Sequence, residues 1–238
     1  MHDLVGAASD DVPAILATGG SGVATMFVSL ARRHPDGDDA GYLAWHSLDH
    51  RPEQYRLGVV RSSLRLVSTP QCRAVRAAAA APFDEVDHVM TYFFAEDPET
   101  TRFQELSDAL GEAGRKPFVL SPVHRGSYHV RETVARTEAK VGADVLPWWP
   151  ATGGYVLVEP TAISAAPLAT VEGVAGVWTG VESDGPQLAL AFLDDDPATV
   201  GERMRPVLAQ RWQAHGITPL LAAPFHAVVP REWDRYLP

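Results

Sequence analysis

The order of strand and helix signals in this chain occurs twice. The first strand is Val23–Leu30, a run of β-branched and aromatic residues that follows glycines. Asp38 or Asp39 caps a helix starting near Ala40, with Trp45 and Leu48 at helical spacing. Pro52 and Glu53 read as a new first turn, so a break is expected near His50. Gly58 leads into a strand over 59–67, and a partly helical connection runs to Phe83 before a strand over 86–94. Pro98 and Glu99 open a helix over 100–113 that Gly114 ends, and a fourth strand lies within 116–130. The order then returns. Strand 154–159 is followed by a short helical stretch over 162–170, strands 173–182 and 187–193, a helix from Pro197 to about Ala214, and strand 219–229. Asp195 or Asp196 caps that last helix and Gly216 ends it.

Each unit is β-α-β-β-α-β, the split βαβ of the ferredoxin-like fold. Helices cover one face of such a sheet, and the other must also be buried. The twin unit supplies the matching face. The expected fold class is therefore α+β, tandem ferredoxin-like repeats forming an intramolecular barrel of the dimeric α+β type. The chain is then a monomer with an internal pseudo-dimer, or a homodimer of such chains. The expected parts are an arm (1–22), a first repeat (23–131), a linker (132–152) and a second repeat (153–238). Within the linker, Trp148 and Trp149 stand between prolines as a hydrophobic plug or the wall of a pocket.

Charge narrows the partners. The chain has 30 acidic and 20 basic residues among 238, a net charge of −10. That balance opposes binding of nucleic acid or of an anionic membrane surface. No apolar run reaches the ~20 residues of a membrane span, and the first residues lack the basic start of a signal peptide. One cysteine, Cys72, permits no internal disulfide. These features point to a cytoplasmic protein.

The sequence Tyr42-Leu43-Ala44-Trp45-His46-Ser47-Leu48-Asp49-His50-Arg51-Pro52-Glu53, followed by Gly58, resembles the first helix of EthD-like proteins in the dimeric α+β barrel superfamily. His50-Arg51-Pro52 matches their His-x-Pro step. Trp45 lies five residues before His50, where the family pattern has four. The resemblance implies a barrel fold. It allows monooxygenase, cyclase, isomerase and haem peroxidase activities, or none, so the chemistry has to come from the residues.

His46 and His50 are one helical turn apart and share a face. With Trp45, Leu48 and Pro52 taken as the core stripe, both histidines flank it and can line the mouth of a pocket between helix and sheet. Histidine there suits a general base, with His50 abstracting a proton and His46 or Asp49 assisting. Arg61 and Arg65 share a strand face in period two and can hold a carboxylate or an enolate oxygen. His88 and Tyr92 share a face of the third strand, and Trp45 supplies an aromatic wall. Each also has a structural reading, as helix surface, strand edge or core packing. No third ligand of suitable spacing joins the His46–His50 pair, so no metal is expected. No cofactor is expected either, with haem as the alternative that the resemblance allows; His124 or His129 can be proposed as its ligand. The substrate expected is a small hydrophobic carbonyl or acidic metabolite. The second repeat's first helix, Thr161–Ala169, carries no ionisable side chain, so the chemistry is expected in the first half alone.

Overall fold

The computed structural model describes residues 4–97 and 102–237. In the first half, α1 (Pro13–Leu16) precedes β1 (Thr25–Ala31), α2 (Asp39–Trp45), α3 (Arg51–Gln54), β2 (Val60–Val67), α4 (Pro70–Ala74), the two-residue β3 (Ala78–Ala79), β4 (His88–Phe94), α5 (Phe103–Glu112) and β5 (Pro122–Ala135). The second half holds β6 (Gly153–Glu159), β7 (Val174–Val181), β8 (Gln187–Leu193), α6 (Pro197–His215) and β9 (Leu221–Ala227). The helix opening expected at Pro98 and Glu99 lies outside the described residues.

The strands form one antiparallel sheet in the order β2-β4-β1-β5-β7-β8-β6-β9-β3, and β9 also pairs with β2. The sheet thus closes into a barrel, with β3 attached outside the ring. Each half contributes four strands in the same relative order, as the duplicated sequence requires. The two seams differ. β5 is 14 residues long. Its first part pairs with β1 and its last part, His129 to Ala135, with β7. The other seam is short, with Leu66 opposite Ala227 and Val67 opposite His226.

The barrel interior is packed, with no lumen. Met26, Val28, Leu30, Phe93, Tyr128, Trp178 and Phe192 are all buried there. Phe93 of one half meets Trp178 and Phe192 of the other at 5.7 and 6.3 Å between ring centroids. Each such side chain removed from water contributes about 1.5–3 kcal/mol. Gly180 lets β7 lie close to β5, because a Cβ there would lie 2.8 Å from Tyr128 Cβ. Of the linker tryptophans, Trp149 packs against this core while Trp148 is exposed.

Outside the ring, α6 buries Val200, Met204 and Leu208 against Tyr155, Leu157, Ala189 and Ala222. Asp196 caps α6 by accepting from the Thr199 amide at 2.9 Å, and Gly216 ends it at φ +64°. The helical stretch expected over 162–170 is a 3-10 turn, Ala166–Thr170, shortened by Pro167 at its start.

The first-half helix departs from expectation in one respect. It does not break at His50. A π-helical turn over His46–His50 joins α2 to α3, with the Arg51 amide bonded to the His46 carbonyl. The wider turn carries the chain past Pro52, which has no amide to donate. Gly58, at φ +69°, then turns the chain into β2.

Candidate functional site

The π-turn decides which side chains face the sheet. The buried side of this helix carries Asp39, Tyr42, Leu43, His46, Ser47 and Gln54, whereas Leu48 is 59% exposed. The expected core stripe of Trp45, Leu48 and Pro52 is therefore corrected. The histidines lie on the inner side, because Asp39 is drawn inward by a partner on the sheet and the helix rotates with it.

That partner is His88. Its Nε2 lies 2.6 Å from Asp39 Oδ1, and Arg65 Nη2 lies 3.3 Å from its Nδ1. Arginine only donates, so Nδ1 accepts and the ring proton sits on Nε2, aimed at Asp39. Burial works to raise the Asp39 pKa, but the hydrogen bonds from His88 and from the His34 amide outweigh it and hold the carboxyl below its usual range. Burial lowers the His88 pKa, with Asp39 opposing, so His88 is a neutral bridge. It stands behind Arg65 and does not line the cavity.

Arg65 is 4% exposed, stacks over Tyr42 at 4.6 Å and leaves Nε without a partner. Among the described residues no carboxylate forms an ion pair with it. Beside it is a cavity of about 140 Å³, floored by Phe27, Ser29, Met90 and Tyr92, and roofed by Trp45, His46, His50 and Phe103. Lys116, Phe118 and Arg125 complete the wall, and among the described residues no aspartate or glutamate lines it. His46 Nε2 is 3.3 Å from the Tyr92 hydroxyl, and His46 Nδ1 is buried without a partner. Burial, then the charge of Arg65, keeps the His46 pKa well below its usual 6.5. Burial raises the Tyr92 pKa, so this phenol stays protonated. His50 stacks on Trp45 at 5.2 Å and its Nε2 meets Gln54 at 3.4 Å. Its pKa falls to about 4, first through burial and then through Lys116, with Asp49 opposing.

The structure thus brings His46, His50, Trp45, Arg65 and Tyr92 together, and places three other candidates elsewhere. Asp49 is on the outer side of the helix, paired with Arg115 at 3.1 Å. His88 stands in the layer behind. Arg61 is exposed, because β2 bulges between Val60 and Ser62 and shifts it off the Arg65 face. The sequence reading did not single out Tyr42, Gln54, Lys116 or Arg125. Cys72 is buried, and burial pushes its thiol pKa up, which suits an inert thiol.

The depressed histidines have a consequence for stability. As pH falls through about 6.5 the unfolded chain takes up protons at His46 and His50, while the folded chain resists until its own lower values. Folded stability is therefore expected to drop between pH 6.5 and 4. In melting curves across that range, His50→Gln should lose less than the parent. Equal losses would show that His50 is not the group involved.

No known protein family and no curated protein matches the chain by sequence. Among solved structures it is similar to a chlorite dismutase-like protein, at 12% identity and TM-score 0.51 over 91% of this chain and 100% of that one. It is also similar to a dye-decolorizing peroxidase from Bacteroides thetaiotaomicron, at 9% identity and TM-score 0.51 over 90% and 94%. The chain has the fold of the dimeric α+β barrels. In this barrel both halves belong to one polypeptide. No helix among the described residues is long and apolar enough to cross a membrane.

The cavity that gathers the candidate residues does not fit haem. The cavity beside His46 and His50 has about 140 Å³, close to the roughly 150 Å³ that holds one benzene ring, and a haem carries four pyrroles. Between α6 and its sheet the space is filled by Val200, Met204 and Leu208. His124 is engaged with Tyr128 at 2.5 Å, His129 lies 3.8 Å from Asp97, and His226 stacks on Tyr236 at 4.1 Å.

Proposed function

We propose that the protein is a small-molecule enzyme that moves a proton at a carbon beside a carbonyl without a cofactor, as an isomerase or cyclase of hydrophobic carbonyl or acidic compounds does. A cofactor-independent oxygenase begins with the same abstraction. The observation that supports this reading is the contact between neutral His46 and the Tyr92 hydroxyl, beside a buried guanidinium that no carboxylate among the described residues neutralises. With Nε2–H donated to the Tyr92 oxygen, His46 Nδ1 is the lone pair that accepts a proton from carbon. The C–H electron pair becomes the C=C bond and the carbonyl π pair moves onto oxygen. Arg65 and the Tyr92 O–H then stabilise that oxygen as charge develops in a site with little water. Asp39 and His88 act through Arg65 and position it. Before substrate binds, the guanidinium and burial together disfavour a charged His46; the developing oxyanion reverses that balance and strengthens the base where it is needed.

His50, the histidine of the EthD-like signature, lies nearer the mouth and closes the site against Trp45. The cations around the cavity, with no carboxylate among its described lining residues, suit an anion and repel a divalent metal. The test is hydrogen–deuterium exchange at the carbon beside the carbonyl, followed by proton NMR in D2O over a panel of small ketones, keto acids and lactones. Catalysed exchange with at least one of them is expected, lowered by at least about tenfold in Arg65→Met. A panel without exchange above buffer, or exchange indifferent to Arg65, would overturn the reading.

A further inference from the structure

We infer that the substrate is a single-ring compound bearing a permanent carboxylate at the end remote from its reacting carbonyl, and that Lys116 and Arg125 hold that carboxylate. This rests on the proton-transfer reading above and assigns the other end of the same cavity.

The register of the strands gives the argument its geometry. Arg65 is opposite Met90, Met90 opposite Ser29, and Ser29 opposite Arg125. These residues form one row across β2, β4, β1 and β5. Three strand spacings of about 4.8 Å put the backbones of the two arginines about 14 Å apart. One end of the row is deeply buried and the other is exposed. Lys116 lies outside this row but lines the same cavity; its Nζ donates to Ser107 Oγ at 3.0 Å, and Arg125 Nε donates to Ser29 Oγ at 3.4 Å. Both cations keep further donors, and among the described residues no ion pair takes either. That runs against the composition, since acids outnumber bases 30 to 20. Neighbouring Arg115 shows the usual outcome, paired with both Asp49 and Glu53.

Between the two charged ends the walls are aromatic: Phe27, Trp45, Phe103 and Phe118. At about 140 Å³ the space suits one ring. The equivalent row in the second half runs Thr179, Ala189, Leu157 and Ala222, without any charge. The row with an arginine at each end is therefore not demanded by the fold. A carboxylate at the mouth neutralises Lys116 and Arg125, and a carbonyl oxygen at the inner end reaches Arg65 and Tyr92.

The test uses the full chain and 4-acetylbenzoate, which carries an enolisable methyl ketone and a carboxylate at opposite ends of one ring. Its neutral counterpart is 4-acetylbenzamide. Methyl-proton exchange in D2O gives kcat and KM, and calorimetry gives binding. The acid is expected to exceed the amide in kcat/KM by at least about tenfold. In Lys116→Gln/Arg125→Gln the ratio should fall to near one through a raised KM for the acid, with the melting temperature retained. An amide as good as the acid, or a preference that survives in the double variant, would overturn the inference and leave proton transfer standing. Acid binding lost in the double variant, but without exchange in the parent, would support the carboxylate site and overturn proton transfer. Binding of neither compound would overturn the inference.

Discussion

Replacing His46 by alanine is expected to slow proton exchange by about 10²–10⁴-fold, the usual contribution of a positioned general base. The melting temperature should change by only a few degrees. Among the described residues His46 Nδ1 is buried without a partner and its Nε2 meets the Tyr92 hydroxyl. The substitution therefore relieves a desolvated ring at the same time as it leaves a small void, and the two effects oppose each other. His50→Ala should cost less in rate, because His50 is half-buried and stacks on Trp45 near the mouth. The pH profile provides a second readout. With its pKa held well below 6.5 by burial, His46 is already basic throughout the neutral range. Exchange should stay level from pH 6.5 to 8, where an ordinary histidine would still be losing its proton. A step centred at 6.5, or a His46→Ala variant with full activity, would remove His46 from the chemistry.

Trp178→Ala is expected to destabilise the fold by about 3–5 kcal/mol, the range for truncating a buried aromatic side chain. That is a large part of the 5–15 kcal/mol typical of a whole domain. Trp178 lies inside the barrel, packs against Phe93 from the first half and Phe192 from its own, and donates Nε1–H to the Ala143 carbonyl at 2.7 Å. Because the interior is shared, urea unfolding should show one transition at a lower midpoint with an unchanged slope. Two separated transitions, or a loss below about 1 kcal/mol, would show that the halves are stabilised independently.

The fold could be read from the sequence because its strands advertise themselves. Runs such as Gly154–Glu159 and Gln187–Leu193 are apolar and β-branched or bounded by turn residues, and α6 has its cap and its terminal glycine in place. The site was less legible. Scored by hydropathy, Leu48 belongs inside and His46 outside, and the structure has the reverse. The inner stripe of Tyr42, His46, His50 and Gln54 is polar enough to pass for a solvent face. Sequences break local rules in this way where function is carried. The bulge that separates Arg61 from Arg65 has no glycine to announce it. The Asp39–His88–Arg65 chain joins residues 49 and 23 positions apart, a closure that only the fold can make. For Lys116 and Arg125 the sequence signal was faint, because nothing in their spacing shows that the fold brings both to one cavity.

The uncharged row of Thr179, Ala189, Leu157 and Ala222 has a consequence for how ligand occupancy varies with concentration. A barrel assembled from two identical copies carries twin pockets, which can communicate, and it exists only above the concentration at which the copies associate. Here the second half is tethered to the first, so dilution does not separate them, and the charged row is present once. Saturation by a small anion within one chain is therefore expected to have a Hill coefficient of one, with one ligand per polypeptide.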